Sequence, residues 1–343
     1  MLDYKKTGTF LASKRKQAQM TQADVAQKLG VSFQAVSKWE NGTIEFPEIP
    51  HPVLVLKSEE PGSKQKLAME YGYSESICHD MINHLVNDIM VMGARPLAVL
   101  DTIVCGSAEK ETIKSFIKGI SDACRENGCS LVGGETSIQP QVVEKGVYVL
   151  TSSIAGILSK DKVIDGSGIT EGDTVLAVAS NGLHTNGYSL VRMLMDQMPQ
   201  IKLEKIDGET FIEQIMKPHT TYRNAIRNLL ECPGIHGMAH ITGGGIQGNL
   251  CRILPDNLYA DIDLSKIKTL PIFRYIQRIG NIDEAEMLST FNCGVGLIVV
   301  VSERYAEQAI RNIAKYHDCY EIGRIRKGNG KVLFRNSVNW ESS

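Results

Sequence analysis

Four acids stand on stretches that are otherwise apolar. Asp80 and Asp88 lie in residues 76–92, where Asp80, His84, Asn87 and Asp88 fall at i, i+4, i+7 and i+8, on one face of a predicted helix. Asp101 ends the apolar run 96–100, and Glu135 follows Leu131-Val-Gly-Gly134. Both runs read as buried strands tipped by an acid, and Gly133 and Gly134 let the main chain approach a ligand closely. Carboxylates on elements this apolar are costly unless a cation joins them. Magnesium carrying a nucleoside triphosphate suits such a set, because it takes a few carboxylates and completes its shell with phosphate oxygens. The alternative is a core helix with a polar edge.

Three further places suit phosphate. Gly62-Ser63-Lys64, at the end of the loop 57–64 and the start of a helix over 65–71, offers main-chain N–H groups and an ammonium. The strand 173–180 runs into Asn181-Gly-Leu-His-Thr-Asn-Gly187 and then a helix, an anion site by geometry. His184 in that turn is a candidate substrate contact or proton handler; otherwise it caps the helix. His240-Ile-Thr-Gly-Gly-Gly245 repeats the scheme, and Gly243, Gly244 and Gly245 form a nest able to take a ribose phosphate. A helix is expected over 216–230, and a hairpin joins 319–325 to 331–334 across Gly328-Asn-Gly330.

The elements that must position these residues make a large protein. With 343 residues, two or three domains are expected. Hydrophobic content of 43% and charged content of 22% describe an ordinary globular chain, and the net charge of -2 implies no global attraction to nucleic acid or membrane. Eight cysteines occur without a C-x-x-C pair, so reduced core thiols and a cytoplasmic location are expected; Cys293 reads as one of them. No apolar stretch reaches membrane-spanning length.

Residues 1–42 differ from the rest. Seven basic residues face three acidic ones, a surplus of +4, which leaves the remainder near −6. Residues 21–30 read as a helix capped near Thr21 and stopped by Gly30, and 31–42 as a second helix capped by Ser32. Val25, Leu29, Val36 and Trp39 would form a small core between them. Pro47, Pro50 and Pro52 rule out a continuing helix and mark a linker.

This head, Thr21-Gln-Ala-Asp-Val-Ala-Gln-Lys-Leu-Gly-Val-Ser-Phe-Gln-Ala-Val-Ser-Lys-Trp-Glu-Asn-Gly42, resembles the helix-turn-helix of phage-repressor-like regulators. The resemblance implies duplex DNA as a partner, with Gln22 on a phosphate and Ser32, Gln34, Ser37 and Lys38 facing the major groove. The alternative is a packing module that no longer binds DNA. That family continues with two more helices, which this chain lacks.

From about residue 53 onward the chain resembles the phosphoribosylformylglycinamidine cyclo-ligases, or aminoimidazole ribonucleotide synthetases. The matching blocks include Asn87-Asp88, Gly93-Ala-Arg-Pro96, Leu131–Thr136, His184-Thr-Asn-Gly-Tyr-Ser-Leu-Val-Arg192, Ala239-His-Ile-Thr-Gly-Gly-Gly245 and Thr290-Phe-Asn-Cys-Gly-Val-Gly296. The resemblance implies an α/β (α+β) protein: a helix-turn-helix over 1–45, an ATP- and metal-side domain over 46–165, and a substrate-side domain over 166–343. It implies ATP and Mg2+, a homodimer, and ring closure of a purine-pathway ribonucleotide. By the same resemblance Asp80, Asp88, Asp101 and Glu135 hold metal, while Lys64, Asp80, Asn87, Asp88, Gly133, Gly134 and Glu135 hold the nucleotide. His184, Thr185, Asn186, Thr242 and Gly243–Gly245 meet substrate, and His184, Asp101 and Lys64 serve catalysis.

The chain departs from that pattern on the nucleotide side. Where the family reads Asp-Gly-Val-Gly-Thr-Lys, this sequence has Glu59-Glu-Pro-Gly-Ser-Lys64. A carboxylate ~4 Å from a phosphate in a dielectric of about 20 costs roughly 4 kcal/mol. The residues after Thr136 also differ, as does Gly248. Two functions therefore compete: an ATP-dependent cyclo-ligase with a regulatory head, or a transcription regulator whose enzyme-like body senses a purine nucleotide or intermediate.

Overall fold

The computed structural model describes residues 4–29, 32–41 and 49–341. The chain divides into two compact units, residues 1–52 and 53–343.

The first unit is helical: α1 (Tyr4–Gln17), α2 (Gln22–Leu29) and α3 (Phe33–Glu40). Thr21 caps α2, its Oγ1 accepting from the Asp24 N–H at 3.1 Å while Asp24 Oδ2 accepts from the Thr21 N–H at 2.7 Å. Ala26 and Val36 are buried and Val25 and Trp39 half-buried; the turn at Gly30 and the Leu29 side chain lie outside the described residues. The sequence reading had no place for α1, whose charged positions mask any apolar stripe. It is fastened by Arg15, which donates through Nε (2.5 Å) and Nη2 (2.9 Å) to the two Glu40 oxygens.

The second unit holds two sheets. The first has the order β1-β4-β2-β3, from Pro52–Glu59 (β1), Arg95–Cys105 (β2), Ser130–Ile138 (β3) and Tyr148–Ser159 (β4). Helices α4 (Lys64–Glu70), α5 (Ser76–Met90) and α6 (Lys110–Glu126) accompany it, with α5 and α6 packed on one face. On β2 the inward positions Val99, Ile103 and Cys105 are fully buried, whereas Leu100 between them is half exposed.

The second sheet has the order β12-β9-β11-β5-β10-β8. Its strands are Thr174–Ala179 (β5), Ile235–His240 (β8), Leu258–Asp263 (β9), Val295–Val301 (β10), Cys319–Lys327 (β11) and Val332–Arg335 (β12); Lys205–Ile206 (β6) and Glu209–Thr210 (β7) form a separate ribbon. Every residue of β10 is buried, which explains its unbroken apolar sequence. One core cluster includes α5 residues such as Met81 and Leu85 together with Leu297 and Val299 of β10.

Four expectations need correction. β1 runs on through Lys57 to Glu59, so the loop begins later than residue 57. β2 continues through Asp101 to Cys105, so that acid is not at a strand tip. β11 and β12 do not pair as a hairpin: β9 lies between them, antiparallel to β11 and parallel to β12. The helix expected over 216–230 is α9, Arg223–Leu229 only. Pro218 lacks the N–H that a helix interior needs, and residues 217–222 instead cross α5 as irregular chain.

Candidate functional site

The polar face of α5 does two jobs. Asp80, Asn83 and Asn87 pin the irregular segment after Pro218. Asp80 Oδ1 accepts from the His219 N–H at 2.8 Å, Asn83 Nδ2 donates to the His219 carbonyl at 2.7 Å, and Asn87 Nδ2 donates to the Thr220 carbonyl at 2.8 Å. Asn87 Oδ1 also accepts from the Tyr222 N–H at 2.9 Å. Lys64 completes this lock. Its ammonium, fully buried, donates to Asp80 Oδ1 (2.8 Å), the Lys217 carbonyl (2.7 Å) and the His184 carbonyl (3.1 Å). An ammonium has three protons, and all three are engaged. Burial pushes the Asp80 carboxyl up and the Lys64 ammonium down, each opposed by the charge of the other.

The second half of α5 faces a cavity of about 480 Å3, which also borders β1, the end of β8 and the glycine turn after it. Lys57 Nζ lies 3.1 Å from both Glu59 Oε2 and Asp88 Oδ2. His240 Nδ1 lies 2.7 Å from Asp88 Oδ1. Burial pushes the Asp88 carboxyl up, but the His240 hydrogen bond and nearby positive charge outweigh it and hold the group below the usual carboxylate range. His84 places Nδ1 3.1 Å from Thr185 Oγ1 and Nε2 3.6–3.7 Å from Asp88 and Glu59. Burial, aided by His240, lowers His84 to about 4, so its ring is neutral.

Across the cavity, Gly244 (φ 92°) and Gly245 (φ 60°) take left-handed backbone that lets the chain turn straight from β8 into α10 (Gly245–Leu250). Asn249 Nδ2 fastens that turn by donating to the Gly245 carbonyl at 2.8 Å. Asn186, Thr242, Gly243 and the exposed Arg252 complete the wall. The expected three-glycine nest is not open: the Gly244 and Gly245 N–H groups donate to the Ser289 and Thr242 carbonyls at 3.0 and 3.1 Å, and of the three only Gly243 lines the cavity. An exposed arginine, a neutral imidazole and polar side chains around one opening can still receive a phosphorylated, hydroxyl-rich ligand.

The expected residues thus separate into groups. His84, Asp88, Asn186, Thr242 and Gly243 share the cavity, and Thr185 touches His84 from behind. His184 does not line it; the residue is 1% exposed. Lys64 is no exposed phosphate ligand, because Asp80 and two carbonyls hold it inside. Gly133, Gly134 and Glu135 are exposed on the edge strand β3, not in a buried strand, with β4 and β2 between them and β1. Asp101 stands beside Gly134, where any side chain would strike its carboxylate; burial raises its pKa. Among the described residues no three of the four acids Asp80, Asp88, Asp101 and Glu135 gather as a metal cluster. Asp80 is spent on Lys64 and Asp88 on His240 and Lys57, while Asp101 and Glu135 stand on a different part of the sheet.

Sequence reasoning missed Lys57, His219, His240 and Arg252. The signal for His240 lay in the Ala239–Gly245 block itself. His219 had only its place after Pro218, Lys57 its place as a basic residue at the start of the 57–64 loop, and Arg252 its place in the block after Asn249.

In the helical unit Ser32, Gln34 and Lys38 are exposed and Ser37 half-buried, and Gln22 donates to Glu40 Oε2 at 2.8 Å. Among the described residues no helix is long and apolar enough to cross a membrane.

Comparison with known proteins gives the family and the fold. Residues 54–158 match the family AIR synthase related protein, N-terminal domain, residues 170–336 match AIR synthase related protein, C-terminal domain, and residues 11–47 match Helix-turn-helix. The phosphoribosylformylglycinamidine cyclo-ligase of Bacillus cytotoxicus is 40% identical over 306 residues, 88% of each chain. That of Chromobacterium violaceum is 41% identical over 281 residues, 81% of each chain. Among solved structures, the hydrogenase maturation protein HypE of Escherichia coli superposes with a TM-score of 0.61 at 19% identity, covering 84% of this chain and 83% of that one. HypE in complex with ATP gives 0.61 at 17% identity, covering 82% and 81%. Thiamine-monophosphate kinase from Stenotrophomonas maltophilia gives 0.60 at 17%, covering 84% and 87%. The mixed α/β fold expected from the motifs is therefore the fold observed, and the chain belongs to the AIR synthase-related family that includes the phosphoribosylformylglycinamidine cyclo-ligases, with a helix-turn-helix ahead of it.

Proposed function

We propose that the body of this chain closes the imidazole ring of a phosphorylated ribonucleotide, the cyclo-ligase reaction of its relatives, in the cavity between α5 and the Gly243–Gly245 turn. The observation that carries the reading is the cavity itself. Arg252 offers charge to a phosphate, Asn186 and Thr242 offer hydrogen bonds to a ribose, and a neutral His84 stands beside them, while Lys57 is held by Glu59 and Asp88. In ring closure an amine nitrogen attacks the formyl carbon whose oxygen ATP has phosphorylated; the carbon–oxygen bond breaks, phosphate leaves with that oxygen, and the nitrogen sheds a proton. His84 Nε2 is unprotonated in one tautomer and faces the cavity acids, so it is the atom to receive that proton. Asp88 orients His240, and the turn fastened by Asn249 fixes the phosphate end, so the geometry is set before the substrate arrives.

The reaction draws its phosphoryl group from ATP. The four expected acids do not fit a magnesium–triphosphate site within one chain, and no step is assigned to that ion. A second copy lying against the outer face of the first sheet is part of this proposal, as is duplex DNA for the helical head. A second reading is favoured by Lys64, which is sealed by three acceptors, and by Glu60-Pro61 before it: a ligand-responsive regulator without turnover. The test is incubation of the full chain with formylglycinamidine ribonucleotide, ATP and Mg2+, reading aminoimidazole ribonucleotide and released phosphate. Product formation supports the ligase. Stoichiometric ribonucleotide binding without product, with DNA retardation that changes when the ribonucleotide is added, supports the regulator. Neither product nor binding removes both.

A further inference from the structure

Directly beneath the cavity floor, three elements deliver three histidines to one point. His184 comes from the turn after β5, His219 from the irregular segment after Pro218, and His240 from the end of β8. They are 1%, 1% and 5% exposed. One ring nitrogen from each lies within 4.8 Å of the other two. The His219 and His240 Nε2 atoms are 2.9 Å apart, and the His184 ring stacks on His219 with centroids 3.9 Å apart at 21°.

The hydrogen-bond inventory of this cluster does not close. The Asp88 carboxylate at 2.7 Å fixes the proton of His240 on Nδ1, so His240 Nε2 presents a lone pair inward. His219 Nε2–H can donate to it. His184 is then left over: neither of its ring nitrogens has a partner, and both are shut off from solvent. A neutral imidazole has one donor and one acceptor, so two buried groups stand unsatisfied. Protonation offers no escape, because burial and the neighbouring histidines drive His184 and His219 well below the ordinary histidine range.

The surroundings nevertheless hold this ring in place. His184 takes left-handed backbone at φ 61°, which is uncommon for a residue with a side chain. Its carbonyl is held by Lys64, and the N–H and carbonyl of His219 are held by Asp80 and Asn83. Gly296 on β10 leaves room for the ring: a Cβ there would stand 2.8 Å from His184 Cε1. Fixed backbones, converging imidazole nitrogens and an outer carboxylate on one ring are the features of a site preorganised for a metal.

We propose that His184, His219 and His240 bind a divalent transition ion of the zinc class, with Asp88 as the carboxylate that orients His240. Three nitrogen donors and no oxygen donor argue against magnesium or calcium and for a borderline ion. Around a tetrahedral ion with bonds of about 2.0–2.1 Å the nitrogens stand about 3.4 Å apart. The His219–His240 pair must open by roughly half an ångström, and the His184 nitrogen must close onto them. The ion joins two segments of the second sheet's half to the residues that α5 holds, and it lies behind the cavity without depending on which reaction the cavity performs.

Chelator-treated full-length protein titrated with zinc by calorimetry, followed by elemental analysis after dialysis, tests the site. The expected result is one equivalent per chain and a raised Tm, with tetrahedral d–d bands when cobalt is used. His184→Gln and His219→Gln each lose stoichiometric binding, and Asp88→Asn weakens it about 10–100-fold. His236→Gln, whose native ring pairs with Asp173 elsewhere, binds as wild type. X-ray absorption on the wild-type cobalt or zinc form gives the ligand set even if the variants fold poorly, and three imidazoles are expected. Substoichiometric metal in folded wild-type protein overturns the proposal. So does zinc held by His184→Gln and His219→Gln but lost in His84→Gln, because the ion would then sit on the His84, Asp88 and His240 group instead.

Discussion

Lys64 is the residue whose role changed most between sequence and structure. A lysine after Gly-Ser at a helix start reads as a phosphate ligand, yet its ammonium is dry and saturated by Asp80 and two carbonyls. Removing one partner of a buried pair strands the other, at about 3–5 kcal/mol. Lys64→Met should therefore shift the urea midpoint sharply, and Lys64→Met with Asp80→Asn should recover part of the loss. A variant that kept its midpoint and lost only nucleotide affinity would show that the lysine works on phosphate after all. Arg252 is the converse case, an exposed cation on the cavity wall. A charge-assisted contact to phosphate contributes about 1.5–3 kcal/mol, roughly 10–100-fold in affinity. Arg252→Ala should weaken ribose 5-phosphate binding by that factor and leave Tm unchanged; calorimetry with both proteins decides it.

At the scale of elements, the important contacts are those that hold irregular chain. The segment 217–222 has no helix or strand of its own, and α5 supplies its partners through Asp80, Asn83 and Asn87. The acid-bearing stripe read from the spacing was real, but half of it satisfies backbone groups. β10 carries the reciprocal device, since a methyl at Gly296 would meet Tyr222 Oη and His184 Cε1. Gly296→Ala is expected to cost about 1–3 kcal/mol through overpacking, read by denaturant unfolding. An unchanged midpoint would mean that the histidine turn is free to move. In the helical head, α3 presents Gln34 and Lys38 outward while Arg15 and Gln22 converge on Glu40. Lys38→Ala should reduce retardation of operator-containing DNA without changing the thermal transition of the head. Equal retardation would leave the head as a packing module.

At the scale of the molecule, the first sheet covers only one face with its helices. Leu54, Leu56, Leu100, Val132 and Ile138 are each more than half exposed on the described chain. Ile138 pairs with the inward Cys105 and faces the helix side, so the open face offers Leu54, Leu56 and Leu100; exposed apolar side chains on a sheet suit an interface, and unpaired edge strands invite pairing. Sedimentation is expected to give a homodimer, and Leu56→Glu to give a monomer of unchanged far-ultraviolet dichroism. A wild-type monomer at micromolar concentration would remove the dimer from the proposal.

Much of the molecule was legible from its residues. The α/β fold was implied by the resemblance, whereas the cap at Thr21, the buried run of β10 and the glycine turn before α10 follow from local pattern. Each depends on residues within a turn or a strand of one another. What local pattern left open is which polar groups stay wet. Lys64 meets its acceptors 120 and 153 residues away, and His240 meets Asp88 across 152. Similarly, β9 separates β11 from β12, although their connecting turn looked like a hairpin. The sequence by itself determined the family, the kinds of side chain present and the elements that carry them. Tertiary structure alone decided which carboxylates are neutralised by protein and which three imidazoles meet, because burial and long-range pairing set the cost of every charge.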